Sequence, residues 1–95
     1  MRSKLDTIIG FYGETAQKQM AIEEMSELTK EICKDFRGCG YKNNIIEEMA
    51  DVLVMIDQLM IIYRIKPSDV HEIMNRKIDR TWEKIWRSIN EKQTY

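Results

Sequence analysis

The sequence contains few of the residues that make turns, and this scarcity limits the possible folds. Among its 95 residues there are four glycines and one proline. A sandwich or barrel of many short strands needs more turn residues than that. A few long helices with short connections fit better, and a chain of this length makes one domain. We therefore expect an all-α protein with a single domain over residues 1–95.

The sequence also lacks an excess of charge of one sign. Fifteen Lys and Arg residues stand against sixteen Asp and Glu residues, which leaves a net charge of −1. Without an overall positive field, we expect neither a nucleic-acid polymer nor a membrane as a partner. The longest apolar run, residues 52–63, contains Asp57 and Gln58 and is too short to span a bilayer. Because the first residues form no apolar leader, we expect a cytoplasmic protein.

Cysteine and histidine are equally scarce. The two cysteines are Cys33 and Cys39, and His71 is the only histidine. A structural zinc site needs four such ligands, so this set is incomplete. We expect free thiols in a reducing compartment, with a disulfide or a metal role as the alternative.

Helical periodicity dominates three long segments of the chain. The predicted helices cover about residues 14–36, 45–64 and 68–90, and a shorter helix is expected over residues 4–12. Asn43 or Asn44 is expected to cap the second long helix. Pro67 is expected to separate the second long helix from the third, which would start at Ser68 or Asp69.

The three long helices differ in their apolar surface. The first and third are amphipathic, and the expected buried face of the first consists of Ala21, Met25, Leu28 and Ile32. The second is apolar on nearly all sides, which is typical of a helix that is covered all round. Two other long helices are too few to cover it. This surplus of apolar surface predicts a homo-oligomer with the second helix near the centre of the bundle.

Acidic residues lie close to the surfaces that are expected to pack. The first long helix contains Glu23, Glu24, Glu27 and Glu31, and the second contains Glu47, Glu48 and Asp51. Acids three residues apart project from one side of a helix, and each of the two helices carries such a pair. If the helices pack antiparallel, the pairs converge and repel one another unless a cation lies between them. Ligands that are all oxygen favour Mg²⁺, with Mn²⁺ as a substitute.

An ordinary explanation exists for each of these acidic groups. The acids of the first helix have Lys30 and Lys34 nearby, as a solvated helix face would. The acids of the second helix lie in its first two turns, where the helix dipole favours negative charge. The joint occurrence of both groups favours the metal site.

The third helix supplies a basic stripe. Lys77, Arg80 and Lys84 follow one another at i, i+3 and i+7, and Asn75 lies beside the start of the stripe. An ordinary solvated face would show the same pattern. Acids that hold a cation, together with separate basic residues, suit a polyphosphate ligand.

These residues resemble the signature of a known family. Glu23-Glu24-Met25-Ser26-Glu27, followed after twenty positions by Glu48-Met49-Ala50-Asp51, is similar to the EExxE…ExxD motif of the MazG-like all-α nucleoside triphosphate pyrophosphohydrolases. Asn75-Arg76-Lys77-Ile78-Asp79-Arg80 resembles the Asn-x-Lys…Arg element of that family, and Gln17 matches a glutamine often seen six residues before the acidic doublet. The resemblance covers about residues 12–82.

The resemblance implies a fold and a role for each matching residue. The fold is an antiparallel helical bundle completed as a homodimer or homotetramer. The implied Mg²⁺ ligands and catalytic residues are Glu24, Glu27, Glu48 and Asp51. The implied phosphate- or nucleotide-binding residues are Lys77, Arg80, Asn75 and Gln17. Glu23 and Glu47 are candidates for supporting the ligands without touching the ion, and reaching a further ion is the alternative for Glu47.

The resemblance also implies an activity. Similar proteins convert a nucleoside triphosphate, ribose or deoxyribose, to the monophosphate and pyrophosphate, which removes unwanted nucleotides from the pool. Hydrolysis of phosphoribosyl-ATP is the alternative within the same chemistry. A non-catalytic helical oligomer that binds nucleotide or a partner protein is the alternative from a different class.

Overall fold

The computed structural model describes residues 3–93, and four α-helices account for most of this range. The helices are α1 (Lys4–Tyr12), α2 (Glu14–Phe36), α3 (Lys42–Ile62) and α4 (Pro67–Gln93). Residues 3–93 contain no strand, which confirms the all-α class. Within the same range, no helix has the length and apolar character needed to cross a membrane.

The chain divides into two compact units. The first ends at Arg64 and contains α1, α2 and α3, and the second begins at Ile65 and contains α4. The single domain over residues 1–95 stays a prediction.

The short helix α1 forms as expected and starts with a capping box. The Oγ of Ser3 accepts a hydrogen bond from the Asp6 backbone N–H at 3.1 Å. In return, the Asp6 carboxylate accepts one from the Ser3 backbone N–H at 3.2 Å. Both donors at the helix N-terminus are thereby satisfied. Gly13, with φ of 94°, then turns the chain into α2, a backbone conformation that glycine adopts without steric cost.

The helices α2 and α3 pack along each other through a seam with alternating spacings of three and four residues. The buried or half-buried positions that follow this spacing are Gln17, Ala21, Glu24, Leu28 and Glu31 on α2, and Ile45, Glu48, Val52, Met55, Leu59 and Ile62 on α3. Beside them, Lys18, Lys34, Ile56, Gln58 and Met60 are also buried or half-buried. This spacing is the one that coiled coils use. Unusually, the α2 side of the seam consists mostly of polar residues.

The predicted buried face of α2 is therefore wrong by about one position. Ala21 and Leu28 lie in the seam, but Met25 and Ile32 are 42% and 41% exposed. The reason is that α2 turns Gln17, Glu24 and Glu31 toward α3 in place of its more apolar neighbouring stripe.

The start of α3 also differs from the prediction. The carbonyl of Tyr41 accepts hydrogen bonds from the backbone N–H groups of Asn44 and Ile45 at 3.1 and 3.2 Å. The helix consequently begins at Lys42, and no side chain caps it. The prediction that Asn43 or Asn44 caps α3 is wrong, because both residues already lie in its first turn.

In the second unit, α4 is longer than predicted at both ends. It begins at Pro67 rather than after it and continues to Gln93 rather than ending near Asn90. Proline suits the first helical position, because the N–H that it lacks would have no partner there.

The connection between α2 and α3 is tight. A Cβ added to Gly40 would lie 2.7 Å from the Cα of Asp35, so only glycine fits this close approach. Cys33 and Cys39 lie before and within this connection, and both are free, as expected, and exposed.

Candidate metal centre

Three carboxylates from two helices meet at the α2–α3 seam. One oxygen each of Glu24, Glu48 and Asp51 lies within 4.8 Å of the other two. Glu24 comes from α2, whereas Glu48 and Asp51 lie about one turn apart on α3. Glu24 and Glu48 are half-buried and Asp51 is exposed, so the group is open to solvent on one side.

The surroundings of these carboxylates do not balance their charge. The Oε2 atom of Glu48 is buried and has no hydrogen-bond partner. Within residues 3–93, the ion pairs join Lys34 to Glu31 and Arg76 to Glu72, and neither involves the three clustered acids. An uncompensated carboxylate at a covered position is unfavourable. Three oxygen donors at this spacing fit a hard divalent cation such as Mg²⁺, which would supply the missing positive charge.

The pKa values of two of the acids are raised, because these carboxyl groups are half-buried and lie close to other acids. Burial, then the charge of Asp51, raises the pKa of the Glu48 carboxyl above its usual value. Burial also raises the pKa of Glu24, and the charge of Asp51 and a hydrogen bond with Asp51 add to the effect. In the absence of a cation, the folded protein therefore holds protons more tightly at these sites than the unfolded chain does.

We expect the ion-free protein to become more stable as the pH falls from 7.5 toward 5. Because the pKa values of Glu24 and Glu48 are raised by folding, the folded state binds more protons than the unfolded state in this range. Stability is therefore gained as the pH falls through the folded pKa values. The melting temperature, measured in chelator across this range, tests the expectation.

A variant with one of the two acids removed is the control for this pH dependence. Glu24→Gln should show a smaller rise in melting temperature on acidification than the wild type. An equal rise in both proteins would mean that other groups cause the effect.

The remaining acids of the predicted set lie around this group rather than in it. Glu27 is exposed and lies outside the three-carboxylate group, but its charge raises the pKa of both Glu24 and Glu48. Glu47 is exposed and raises the pKa of Glu48, whereas Glu23 is exposed and contributes to neither shift. The structure thus brings together three of the four acids that the resemblance implies as metal ligands.

Glu31 is a buried acid to which the sequence reasoning assigned no role. It is 8% exposed, and its Oε1 pairs with the Lys34 ammonium at 3.1 Å while its Oε2 is buried without a hydrogen-bond partner. Its charge contributes to the raised pKa of Glu48. The sequence did contain a signal for the burial of Glu31. It lies seven residues after Glu24, so it occupies the same position of the seam two turns further along α2.

Gln17, predicted to bind nucleotide, lies in the interior of the first unit. Its side-chain amide donates a hydrogen bond to the Oε1 of Gln58 at 2.7 Å. Sequence reasoning missed Gln58, although it is the only amide in the apolar run of residues 52–63. A role for Gln17 in nucleotide binding stays a prediction.

The predicted phosphate-binding residues belong to the second unit. Asn75, Lys77 and Arg80 are exposed on α4, and Lys77 and Arg80 lie three residues apart on one side of that helix. Neither Lys77 nor Arg80 takes part in the ion pairs found within residues 3–93. Their roles stay predictions.

The first unit defines a class of protein: an all-α fold in which two long helices hold a candidate divalent-cation centre in their seam. A family model described as the MazG nucleotide pyrophosphohydrolase domain matches residues 13–86. The chain therefore belongs to the MazG nucleotide pyrophosphohydrolase family, as the motif resemblance predicted. No curated protein and no solved structure matches the chain.

Proposed function

We propose that this protein is a Mg²⁺-dependent nucleoside triphosphate pyrophosphohydrolase that converts an NTP or dNTP to the monophosphate and pyrophosphate. The observation that carries the proposal is the group of Glu24, Glu48 and Asp51, with the buried and unpartnered Oε2 of Glu48. Membership of the MazG family supports the same reaction class. Removal of unwanted nucleotides from the pool is the corresponding role in the cell.

Each acid has a part in the proposed site. Glu24, Glu48 and Asp51 would hold the ion, with Glu27 at the edge of the group. An ion held there, Mg²⁺ or Mn²⁺ in its place, would supply positive charge to neutralise the phosphates and would lower the pKa of a bound water. Hydrolysis adds one water across the anhydride between the α and β phosphates. The exposed Glu27 carboxylate is our candidate for taking the proton that this water loses.

The basic residues would act on the phosphates. A lysine ammonium and an arginine guanidinium both form charge-assisted hydrogen bonds to phosphate oxygens. By the motif resemblance, we assign this role to Lys77 and Arg80, where they would stabilise the pyrophosphate as it leaves. Asn75 and Gln17 remain our candidates for further contacts with the nucleotide.

A homodimer or homotetramer is part of the proposal. Large apolar side chains are exposed in the single chain on α3 and on α4, among them Leu53 at 62%, Ile78 at 61% and Trp82 at 66%. Exposed apolar surface of this extent favours association. A second copy of the chain would cover it and complete the bundle.

A substrate panel tests the activity directly. The full-length protein is incubated with ribonucleoside and deoxyribonucleoside triphosphates and with phosphoribosyl-ATP, in Mg²⁺ or in chelator, and pyrophosphate and orthophosphate are measured separately. We expect pyrophosphate and the monophosphate to appear in Mg²⁺ alone. Release of orthophosphate without pyrophosphate would contradict the assigned bond cleavage.

The same samples distinguish an enzyme from a binding module. A ligand that binds the folded state alone stabilises it, by about 2.7 kcal/mol at a concentration of 100 Kd. We therefore expect Mg²⁺ to raise the melting temperature. A rise with Mg²⁺ and nucleotide but no product from any substrate would favour the non-catalytic oligomer, and no rise at all would favour ordinary solvated acids.

A further inference from the structure

A buried pair of amides joins the two helices that carry the candidate metal ligands. Gln17 of α2 is 6% exposed and Gln58 of α3 is 2% exposed. The Nε2 of Gln17 donates to the Oε1 of Gln58 at 2.7 Å. The Nε2 of Gln58 faces the sulfur of Met55, at 3.9 Å. The pair is therefore a polar contact within an otherwise mostly apolar end of the seam.

The amide pair and the acids share one register. From Gln17 to Glu24, α2 advances by seven residues, and from Gln58 to Asp51, α3 goes back by seven. In an antiparallel pair of helices, both contacts therefore belong to the same alignment, about 10 Å apart along the axis. The proximity of Glu24 to Asp51 is the expected consequence of the contact between Gln17 and Gln58.

Apolar residues alone hold such an alignment weakly. At this end of the seam the neighbouring buried or half-buried residues include Ala21, Met55 and Leu59, whose side chains have no directional preference. An amide that is buried without its hydrogen-bond partner is unfavourable. A single amide pair therefore disfavours any alignment of α2 and α3 that separates the two amides. A buried polar residue sets the register of coiled coils in this way, at some cost in stability.

We propose that Gln17 and Gln58 are positioning residues for the metal centre: their buried hydrogen bond sets the α2–α3 register that brings Glu24 to Glu48 and Asp51. The inference rests on the proposed metal-binding function. A slip of one helical turn would move Glu24 by about 5 Å along the axis, away from Glu48 and Asp51. A single ion could not then bind all three carboxylates.

Leucine at both positions tests the proposal, since it replaces the amide pair with apolar groups. In the full-length Gln17→Leu/Gln58→Leu variant, we expect the melting temperature in chelator to be unchanged or raised. We expect the affinity for Mn²⁺, measured by electron paramagnetic resonance, to fall by about 10- to 100-fold. Gln17→Leu alone leaves Gln58 without its partner and should lower the melting temperature. Gln19→Leu, on the exposed side of α2, is the matched control and should change neither property.

A distance measurement reports the register without any metal. Spin labels are placed at Lys30→Cys and Asp57→Cys, both exposed, in a Cys33→Ser/Cys39→Ser background. Labelled chains are diluted with unlabelled ones, so that distances within one chain are measured. We expect one narrow distance with the glutamines present, and a broadened or second distance in the double leucine variant.

The outcomes separate this inference from the proposed function. A double leucine variant with wild-type Mn²⁺ affinity and one unchanged distance would overturn the positioning role. The positioning role would also be overturned if the Mn²⁺ affinity and the melting temperature of the double leucine variant both fell while the distance between the spin labels stayed unchanged. If the wild type itself binds no Mn²⁺, the proposed metal centre fails and the positioning role fails with it. A second distance would then show that the amides set the helix register and nothing more.

Discussion

In the Glu48→Gln variant, Mg²⁺-dependent hydrolysis is expected to fall by on the order of 10³-fold, while the melting temperature in chelator is expected to rise. The loss follows because Glu48 is one of three carboxylates with an oxygen inside the 4.8 Å group. The gain follows because its Oε2 is buried without a partner and its charge is disfavoured by burial and by Asp51. An amide at this position removes the charge and adds donors that can face Asp51.

The opposite signs of these two effects make the test specific. A variant that loses activity because it unfolds would lose melting temperature as well. Asp57→Asn is the matched control, because it makes the same chemical change at an exposed acid of α3 outside the group. Wild-type turnover in Glu48→Gln would refute the metal centre. A lowered melting temperature of this variant in chelator would contradict the claim that the charge of Glu48 destabilises the ion-free protein.

Glu48→Gln should also weaken or abolish the stabilisation by the ion. In the wild type, Mg²⁺ is expected to raise the melting temperature, because binding stabilises the folded state. With one ligand replaced by a neutral amide, this rise should be small or absent. Titration of Mg²⁺ into both proteins while the melting temperature is recorded measures the difference.

Much of the fold follows from the pattern of the sequence. The four helices were predictable because glycine and proline are rare and most of them lie at or beside a helix boundary: Gly13 and Gly40 lie between helices, and Pro67 is the first residue of α4. The exact start of α3 was less accessible. Whether Tyr41 or one of Asn43 and Asn44 precedes the helix depends on backbone hydrogen bonds from the following turn, which side-chain preferences do not reveal.

The seam shows what residue types alone cannot decide. Met25 and Ile32 are more apolar than Glu24 and Glu31, so a hydrophobic pattern selects them for the interior. The structure instead turns Glu24 and Glu31 inward, against the usual preference for burying apolar groups. A functional site is where such a conflict between local preference and fold is expected. The motif selects Glu24 because it records chemistry rather than burial, and the role of Glu24 as a metal ligand stays a prediction. Glu31 lies outside the motif.

The amide pair was hidden for a related reason. Gln58 interrupts an apolar run and, by composition alone, looks like an exposed position on a helix. Only the alignment of α2 with α3 shows that it faces Gln17. The register of two helices is a property of both together, so neither segment discloses it when examined separately.

Alanine at both Lys77 and Arg80 is expected to lower kcat by about 10²- to 10³-fold. Both side chains are exposed on one side of α4, so their removal should leave the helix content and the melting temperature nearly unchanged. If they stabilise the departing pyrophosphate, the loss appears mainly in kcat, whereas contacts made equally to substrate and transition state would appear in KM.

The effect of Mg²⁺ on the melting temperature distinguishes this variant from Glu48→Gln. Lys77→Ala/Arg80→Ala keeps all the carboxylates, so Mg²⁺ should still raise its melting temperature as in the wild type. Lys92→Ala removes an exposed cation about three turns beyond Arg80 and serves as the control, with activity close to that of the wild type. If the double variant matched this control in kcat, Lys77 and Arg80 would be solvated surface residues. The leaving group would then need a different source of positive charge.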